Sequence, residues 1–403
     1  MRDSLIYDWN RIGAATRPSQ VMLDDETLRD GLQSPSVRTP SIAQKIRILH
    51  LIDALGIDTA DIGLPGAGPH VVRDVERLTR EIVDARLKVR ANCAARTTVA
   101  DIRPIVEIAQ RTGLALEVGM FLGSSPIRQY TEGWSLEWLL KSTEEAVSFA
   151  IREGLRVMYV TEDTTRSDPE TLRALYSCAI RTGAQRICVA DTVGHATPVG
   201  AAAVVTFAGQ IIRECNAEVR IDWHGHRDRD LAIMNSVSAL EAGATRIHAT
   251  ALGIGERIGN TPMDLLLVNL VLMGYLERDL TPLMTYCEAV SDACGVPIPD
   301  NYPVIGRDAF RTATGVHAAA VIKAWKKGDR ELMDTVYSAI PASMVGREQQ
   351  IDVGPMSGKS NVIFWLERHG IPLSEPVVDR VFQRAKQSPT VLTEREILAE
   401  VYR

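Results

Sequence analysis

Several features are rare or missing in this 403-residue chain, and each absence excludes a class of protein. The six cysteines are scattered without a CxxC spacing, which argues against a disulfide framework and for reduced, mostly buried thiols. No apolar run approaches the length of a membrane span, and the stretch MRDSLIYDWNR lacks the apolar core of a secretory signal. A formal net charge of −6 gives no electrostatic case for binding nucleic acid or an anionic membrane. We therefore expect a cytoplasmic protein of enzyme size.

What the chain does contain is a regular alternation of short apolar runs and helical segments. A segment such as Ile42–Leu55 places Ile42, Ile46, Leu49 and Ile52 on one helical face. The apolar runs predict eight strands, at a spacing of roughly 30 residues that is typical of βα repeats: Val21–Leu23, Thr59–Leu64, Leu87–Cys93, Leu114–Phe121, Arg156–Thr161, Arg186–Ala190, Val219–Trp223 and Arg246–Leu252.

Eight strand-then-helix units predict a closed (β/α)8 TIM barrel with a parallel sheet. A doubly wound open sheet is the alternative, but no glycine-rich dinucleotide turn follows the first predicted strand. After the last predicted barrel helix, Met263–Leu276, the chain passes through a proline-rich connector at 296–303 and becomes mostly helical. We predict a catalytic barrel with an N-terminal extension over residues 1–280 and a mostly helical C-terminal extension over 281–403.

The stretch IDWHGHRDRDL lies where the seventh predicted strand ends, before a helix predicted over Asp230–Gly243. Residues two apart in extended chain point to the same side, so His224 and His226 can converge on one point. A histidine pair suits a divalent cation but needs another ligand. Asp30, which follows the first strand, supplies a carboxylate at the same end of the barrel. The alternatives are two loop histidines bonded to their neighbours and an aspartate that caps the turn RDG.

Other strand ends carry further candidates. Arg29 could bind a carbonyl oxygen or carboxylate where charge develops, or it could pair with a local acid. Glu162 could supply a general base, or it could belong to a salt-bridge cluster with Asp163 and Arg166. The loop GIGERIGN has three glycines in eight residues, which suits either close approach of a ligand or a tight turn.

The motifs DETLRDGLQ, EDTTR, DTVGHATP, HGH and LGIGERIGNTP, in this order, resemble the family of α-isopropylmalate, homocitrate and citramalate synthases. The resemblance runs from about Val21 to Asn361. It includes PVIGRDAFRTATGVHAAAVIK, similar to a segment that the synthases, but not the related hydroxymethylglutaryl-CoA lyases, place after the barrel. VGPMSGKSN resembles the small second subdomain of the synthases.

This resemblance implies a metal-dependent Claisen-type condensation. An acyl-CoA, usually acetyl-CoA as co-substrate, adds to a 2-oxo acid and the thioester is hydrolysed, giving a 2-alkylmalate-type product such as 2-isopropylmalate of leucine biosynthesis. The resemblance further implies a homodimer with exchanged C-terminal subdomains that complete the partner's active site. The alternatives are a homocitrate-, citrate- or phosphonomethylmalate-type synthase for a dianionic 2-oxo acid, a hydroxymethylglutaryl-CoA lyase-like enzyme, and a non-catalytic binding protein on a decayed barrel.

The same resemblance implies roles for individual residues. Asp30, His224 and His226 would be ligands of Mg²⁺, Mn²⁺ or Zn²⁺, with Asn260 in or near the coordination sphere. The implied catalytic residues are Arg29, which would stabilise the alkoxide, Glu162, which would assist proton transfer, and His317, which would help to enolise the acyl-CoA. The remaining expected contacts are Gln33, Arg96, Thr197 and Arg227 for the substrate and Gly253, Gly255, Glu256 and Arg257 for the CoA ester.

Three residues depart from the family pattern. The family usually has HxHNDxG, whereas this chain has Arg227 in place of the asparagine and Asp230 in place of the glycine. Arg227 could mark an acidic substrate or could form an outward salt bridge with a neighbouring aspartate. Gly119 stands where leucine-pathway synthases tend to have a histidine beside the substrate, which weakens the expectation of specificity for 2-oxoisovalerate.

Overall fold

Eight parallel strands pair in chain order and close into a barrel, which confirms the predicted (β/α)8 fold. The computed structural model describes residues 5–11 and 17–403; residues 1–4 and 12–16, which include part of the stretch analysed for a signal, lie outside the described residues. The strands are β1 Met22–Asp25, β2 Thr59–Asp61, β3 Arg90–Arg96, β4 Glu117–Gly123, β5 Arg156–Glu162, β6 Arg186–Asp191, β7 Arg220–Gly225 and β8 Arg246–Ala249.

The positions of several strands differ from the sequence prediction by two or three residues. β3 and β4 begin at Arg90 and Glu117, later than predicted, because their limits follow pairing with the neighbouring strands, such as Asn92 with Glu117. β8 ends at Ala249 rather than at residue 252, because residues 251–253 form a 3-10 turn. Apolar composition identifies a strand but does not determine its register, which depends on partners far away in the chain.

Nine helices follow the strands in the described part of the chain. Side chains cap several of their first turns, for example Ser41 in a capping box and Asp168 before Pro169. The helix after β7 begins only after Asp230 and Leu231, because Asp230 has a positive φ of 56°. The helices are α1 Ile42–Ala54, α2 Pro69–Asp84, α3 Val99–Thr112, α4 Pro126–Glu132, α5 Leu136–Arg152, α6 Pro169–Thr182, α7 Pro198–Glu214, α8 Ala232–Glu241 and α9 Met263–Leu272.

The core lies between the barrel strands and these helices. Strand residues such as Tyr159, Trp223 and Ile247 are fully buried. Inside the barrel several of the buried residues carry ionisable side chains, for example Asp24, Asp222 and Arg246. None of the helices in the described ranges is long and apolar enough to cross a membrane.

The chain divides into two compact units, one formed by residues 1–278 with 289–296 and one by 279–288 with 297–403. The second unit has its own apolar core, which includes Val362, Leu366 and Val381. Its two short strands, β9 Arg311–Thr312 and β10 Gln350–Ile351, pair in parallel and were not predicted from sequence. The helices in this part of the chain are α10 Leu283–Cys294, α11 Gly315–Lys326, α12 Arg330–Thr335, α13 Lys359–Arg368, α14 Glu375–Lys386 and α15 Glu394–Val401.

Candidate active site

A cavity of about 270 Å³ lies at the carboxyl ends of the barrel strands. Chemistry collects at this end of a TIM barrel, because the loops after the strands converge there. Nine of the residues singled out in the sequence line this cavity: Arg29, Asp30, Gln33, Gly119, Glu162, His224, His226, Glu256 and Arg257. Residues that lie as much as 228 positions apart in the sequence are thus brought to one site by barrel closure.

Asp30, His224 and His226 direct three potential ligand atoms at one point. The Nε2 atoms of the two histidines are 3.1 Å apart, and Oδ2 of Asp30 lies 3.4 Å and 3.7 Å from them. Ligand atoms around one octahedral divalent cation are spaced by about 3 Å when the metal–ligand bonds are about 2.1 Å long. The spacing of the three side chains therefore suits a divalent cation.

The protonation states of these groups also suit a cation, because a metal takes neutral imidazole and ionised carboxylate. Burial and the neighbouring His224 lower the pKa of His226 to about 4. Burial alone would raise the pKa of Asp30, but Arg29 and His224 outweigh it and hold that pKa below its ordinary value. Oδ1 of Asp30 is buried without a hydrogen-bond partner among the described residues, so it can also accept a ligand.

Glu26 orients the first of the two histidines. Its Oε2 lies 2.8 Å from Nδ1 of His224, a contact that favours a ring proton on Nδ1 and an Nε2 that faces the other potential ligands. Although burial opposes ionisation, Arg29, His224 and His248 hold the pKa of Glu26 well below its ordinary value. A second set of potential ligands, formed by Glu26, His224 and His248, is less suitable because both nitrogens of His248 already bind carboxylates.

Asn260 is buried beside this cluster. Its backbone forms an isolated bridge with His226, and both polar atoms of its side-chain amide are without partners among the described residues. A buried amide without hydrogen bonds is costly unless a ligand satisfies it. This observation is compatible with a place near the cation, although Asn260 does not line the cavity itself.

Arg29 is held by three carboxylates at the wall of the cavity. Its Nε donates to Asp61 at 2.7 Å and its Nη2 to Glu26 at 2.8 Å, while Nη1 lies 3.4 Å from Asp30. Burial would lower the pKa of Arg29, but the surrounding carboxylates raise it well above its ordinary value. A guanidinium has five N–H donors, so donors remain for a ligand in the cavity.

Glu162 and Asp163 are neighbours with different surroundings. Asp163 accepts two hydrogen bonds from Arg166, at 2.8 Å and 2.7 Å, and one from Ser125. Glu162 lines the cavity, and Arg128 forms a long ion pair with it at 3.8 Å. Burial raises the pKa of Glu162, whereas Arg128 opposes the increase. The oxygens of Asp163 are therefore used by neighbouring side chains, whereas Glu162 faces the cavity. The implied role of Glu162 in proton transfer stays a prediction.

Three of the four expected substrate contacts do not line the cavity. Arg96 is two-thirds exposed and donates two hydrogen bonds to Asp101, and Thr197 caps the first turn of α7. Arg227 lies 3.5 Å from Asp230, which matches the interpretation as an outward salt bridge. Gln33 does line the cavity. Roles for Arg96, Thr197 and Arg227 in binding a substrate stay predictions.

The glycine-rich loop after β8 folds onto itself. Gly259 has a φ of 108°, and a Cβ there would overlap the carbonyl oxygen of Gly253. Gly253, with a φ of 64°, and Gly255 likewise adopt conformations that favour glycine. These glycines permit a tight turn, and Glu256 and Arg257 next to them reach the rim of the cavity. A contact of this loop with a CoA ester stays a prediction.

His317 belongs to the second unit, on α11. Its side chain is exposed and its ring stacks at 4.5 Å on that of Tyr337. The implied catalytic role of His317 stays a prediction.

Sequence reasoning overlooked His248 and the roles of Glu26 and Asp61. Inward-facing positions alternate along a strand, so the series Arg246, His248, Thr250 could have identified the histidine as an interior residue. The burial of Asp61 outweighs its contact with Arg29 and raises its pKa to about 7. Apart from the pair Glu26–Arg29, which is three residues apart, the ionic partners of these residues lie far away in the chain, so no local pattern in the sequence predicts them.

Comparison with known proteins identifies the family of the chain. Residues 20–289 match the HMGL-like family. A probable 2-isopropylmalate synthase of Methanopyrus kandleri is 31% identical over 92% of this chain and 70% of its own length. The homocitrate synthase AksA of the same organism is 33% identical over 92% and 88% of the two chains.

The barrel also resembles solved structures. The HMG-CoA lyase of Brucella melitensis superposes with a TM-score of 0.57 at 18% identity, over 68% of this chain and 98% of the lyase, a likeness that concerns the fold alone. The family match covers two-thirds of the chain, and the identity to synthases extends over nearly all of it. The chain therefore belongs to the HMGL-like family, on the branch that holds the 2-isopropylmalate and homocitrate synthases.

Proposed function

We propose that this protein condenses an acyl-CoA, such as acetyl-CoA, with a 2-oxo acid and hydrolyses the resulting thioester. The observation that carries the proposal is the convergence of Asp30, His224 and His226 next to Arg29 in one cavity. The names of the relatives, 2-isopropylmalate and homocitrate synthases, give the reaction class. The product is a 2-alkyl-2-hydroxy dicarboxylic or tricarboxylic acid of the malate type.

Asp30, His224 and His226 would hold a divalent cation, with Asn260 close by. Such a cation supplies a Lewis acid for the carbonyl and carboxylate of the oxo acid. Glu26 keeps the His224 ring in the orientation that leaves Nε2 free. Arg29 donates to the carbonyl oxygen as negative charge develops there, and its own orientation is maintained by Glu26 and Asp61.

The reaction itself needs one proton removed and one returned. A base takes a proton from the carbon next to the thioester, and the enolate carbon bonds to the ketone carbon. The ketone oxygen becomes an alkoxide and takes up a proton; water then cleaves the thioester and releases CoA as the free thiol. Glu162, whose raised pKa suits proton exchange, is placed to move a proton at the cavity wall.

The resemblance of TGVH to the synthase motif adds His317 and a homodimer to the proposal. In that arrangement, His317 of one subunit assists enolisation in the site of the other. His317→Ala would then slow exchange of the acetyl-CoA methyl protons with deuterated solvent while the affinity for the oxo acid is retained. Tyr337→Phe, which keeps the ring stacked on His317, is the matched control. Unchanged turnover of His317→Ala would remove the residue from the mechanism.

The test of the reaction is release of free thiol from acetyl-CoA in the presence of Mg²⁺ or Mn²⁺. The panel contains pyruvate, 2-oxoisovalerate, oxaloacetate, 2-oxoglutarate and phosphonopyruvate. We expect thiol release with at least one of these acids, abolished by EDTA and restored by added Mn²⁺. If no acid supports release in the Mn²⁺-loaded protein, the proposal is wrong. Cleavage of 3-hydroxy-3-methylglutaryl-CoA, assayed in parallel, would then favour a lyase.

A further inference from the structure

The wall of the cavity has two chemically different halves. The half formed by β7, β8, β1 and β2 carries ionisable groups, among them His224, His248, Glu26, Asp30 and Asp61. The half formed by β3 to β6 is apolar below its rim. Below the rim its lining residues are Ala94 on β3, Gly119 and Phe121 on β4, Met158 and Val160 on β5, and Cys188 and Ala190 on β6, while Glu162, the last residue of β5, adds a carboxylate at the rim of the same half.

Every cationic side chain that lines the cavity already has an acidic partner. Arg29 is engaged by Glu26 and Asp61, and Arg257 at the rim by Asp228 at 2.8 Å and 2.9 Å. His248 lies between Glu26 and Asp222, 3.0 Å from each. No cation of the lining faces the apolar half without such a partner. Arg227, the residue that suggested an acidic substrate in the sequence, does not line the cavity.

The polar half determines how a 2-oxo acid can lie. The ligand cluster and Arg29 bind the carboxylate and the carbonyl oxygen, so these groups stay on the side of β7, β8 and β1. The substituent on the other side of the carbonyl carbon is then directed across the barrel, toward β3 to β6. A carboxylate there would lose its hydration against an apolar wall without gaining a counterion, which is costly.

We infer that the apolar half is the specificity pocket of this protein and that it selects 2-oxo acids with an uncharged alkyl substituent over dianionic 2-oxo acids. The inference rests on the proposed function and names its substrate class. Gly119 and Met158 set the size of the pocket. A Cβ added at Gly119 would lie 2.8 Å from Cε of Met158, so this methyl group already fills the space beside the glycine.

The experiment compares kcat/KM for acids of similar size and different charge. Pyruvate, 2-oxobutyrate and 2-oxoisovalerate form the monoanionic series, with an uncharged substituent, and oxaloacetate and 2-oxoglutarate form the dianionic one. We expect the best monoanionic acid to exceed both dianionic acids by at least about 100-fold, since a site without a partner for a buried polar group discriminates strongly. Calorimetric titration of each acid into the Mn²⁺-loaded protein gives a second readout that needs no turnover.

Gly119→Ala tests the position of the pocket. The added methyl group must displace the end of Met158 and narrow the space, so kcat/KM for 2-oxoisovalerate should fall about tenfold more than kcat/KM for pyruvate. Gly209→Ala on α7 is the matched control, because its Cβ would come no closer than 3.6 Å to any neighbour and it lies outside the cavity. Equal losses for both acids in Gly119→Ala would remove Gly119 from the pocket.

The outcomes separate the two proposals. Preference for oxaloacetate or 2-oxoglutarate would overturn the specificity inference and leave the condensation in place. Absence of thiol release with every acid would overturn the condensation itself. In that case tighter binding of the dianionic acids in the calorimeter would also contradict the pocket, and tighter binding of the monoanionic acids would support it.

Discussion

Asp30 and Asp222 are both buried aspartates inside the same barrel, but their surroundings differ in one respect. Both oxygens of Asp222 are used, by Arg186 at 2.5 Å, Arg246 at 2.6 Å and His248 at 3.0 Å. Asp30 has no contact shorter than 3.4 Å to the ionic groups around it, and its Oδ1 has no partner among the described residues.

The difference separates a cluster whose charged groups satisfy one another from a cluster that leaves an acceptor atom for a ligand. Asp222, Arg186 and Arg246 satisfy one another, so nothing more is needed there. Arg246 extends this cluster to Glu117 at 2.6 Å. The Asp30 cluster leaves acceptor atoms beside a cavity, and a buried charge without hydrogen bonds is costly unless a ligand completes it. The number of buried charges is similar in the two clusters, and the combination of an unused acceptor with a cavity supports the metal site proposed there.

The largest effect is expected from breaking the structural cluster. Asp222→Asn keeps the size of the side chain but leaves Arg186, Arg246 and His248 with a neutral partner. We expect the free energy of unfolding, measured with urea, to fall by about 3–5 kcal/mol. Asp230→Asn, at a largely exposed position, is the control and should be neutral. A stability of Asp222→Asn equal to that of the wild type would mean that the cluster does not hold the barrel together.

Asp30→Asn should reduce metal binding and activity strongly and change stability little. Loss of the carboxylate removes a ligand, so Mn²⁺ affinity should fall by more than the roughly 10–100-fold that is typical of residues outside the coordination sphere. Thiol release should be lost with it. The unfolding free energy of the metal-free protein should change by less than about 1 kcal/mol, because Asp30 makes no short hydrogen bond. Metal content equal to that of the wild type would refute the assignment of the ligand.

The pH dependence of kcat/KM tests the role proposed for Glu162. Burial raises its pKa, so the ionised base is lost as the pH falls through this raised value, and kcat/KM should decrease at a higher pH than an exposed glutamate would cause. Glu162→Gln should remove this acid limb and reduce the rate by about 100- to 10,000-fold. Glu132→Gln, which removes a second acid beside Arg128, is the control and should retain both the limb and the rate. An acid limb that persists in Glu162→Gln belongs to another group.

The smallest effect is expected at Arg96. Its side chain is 67% exposed and its ion pair with Asp101 is outside the cavity. Exposed ion pairs contribute at most about 1 kcal/mol, so Arg96→Gln should change stability little. We also expect KM for the oxo acid to stay within about twofold of the wild type, whereas an increase of tenfold or more would return Arg96 to the substrate site.

The sequence by itself determined the elements and the order in which they occur. Apolar runs at βα spacing predicted the eight-stranded barrel, and the two-residue spacing of His224 and His226 predicted that their rings converge. Both properties depend on the periodicity of a single strand or helix, which is encoded locally. For the same reason the caps at Ser41 and Asp168 are visible in the sequence, since each involves residues within one turn of a helix.

Only the tertiary structure decided which charged residues meet. Glu26 is bound to His248, 222 positions away, and Asp222 to Arg186 and Arg246 on the two adjacent strands. Arg96 and Thr197 stand near strand or helix ends as expected, but local partners keep them outside the cavity. The division of the cavity into a charged and an apolar half likewise depends on closure of the barrel. Closure and register are set by pairing between distant strands, which no local pattern in the sequence records.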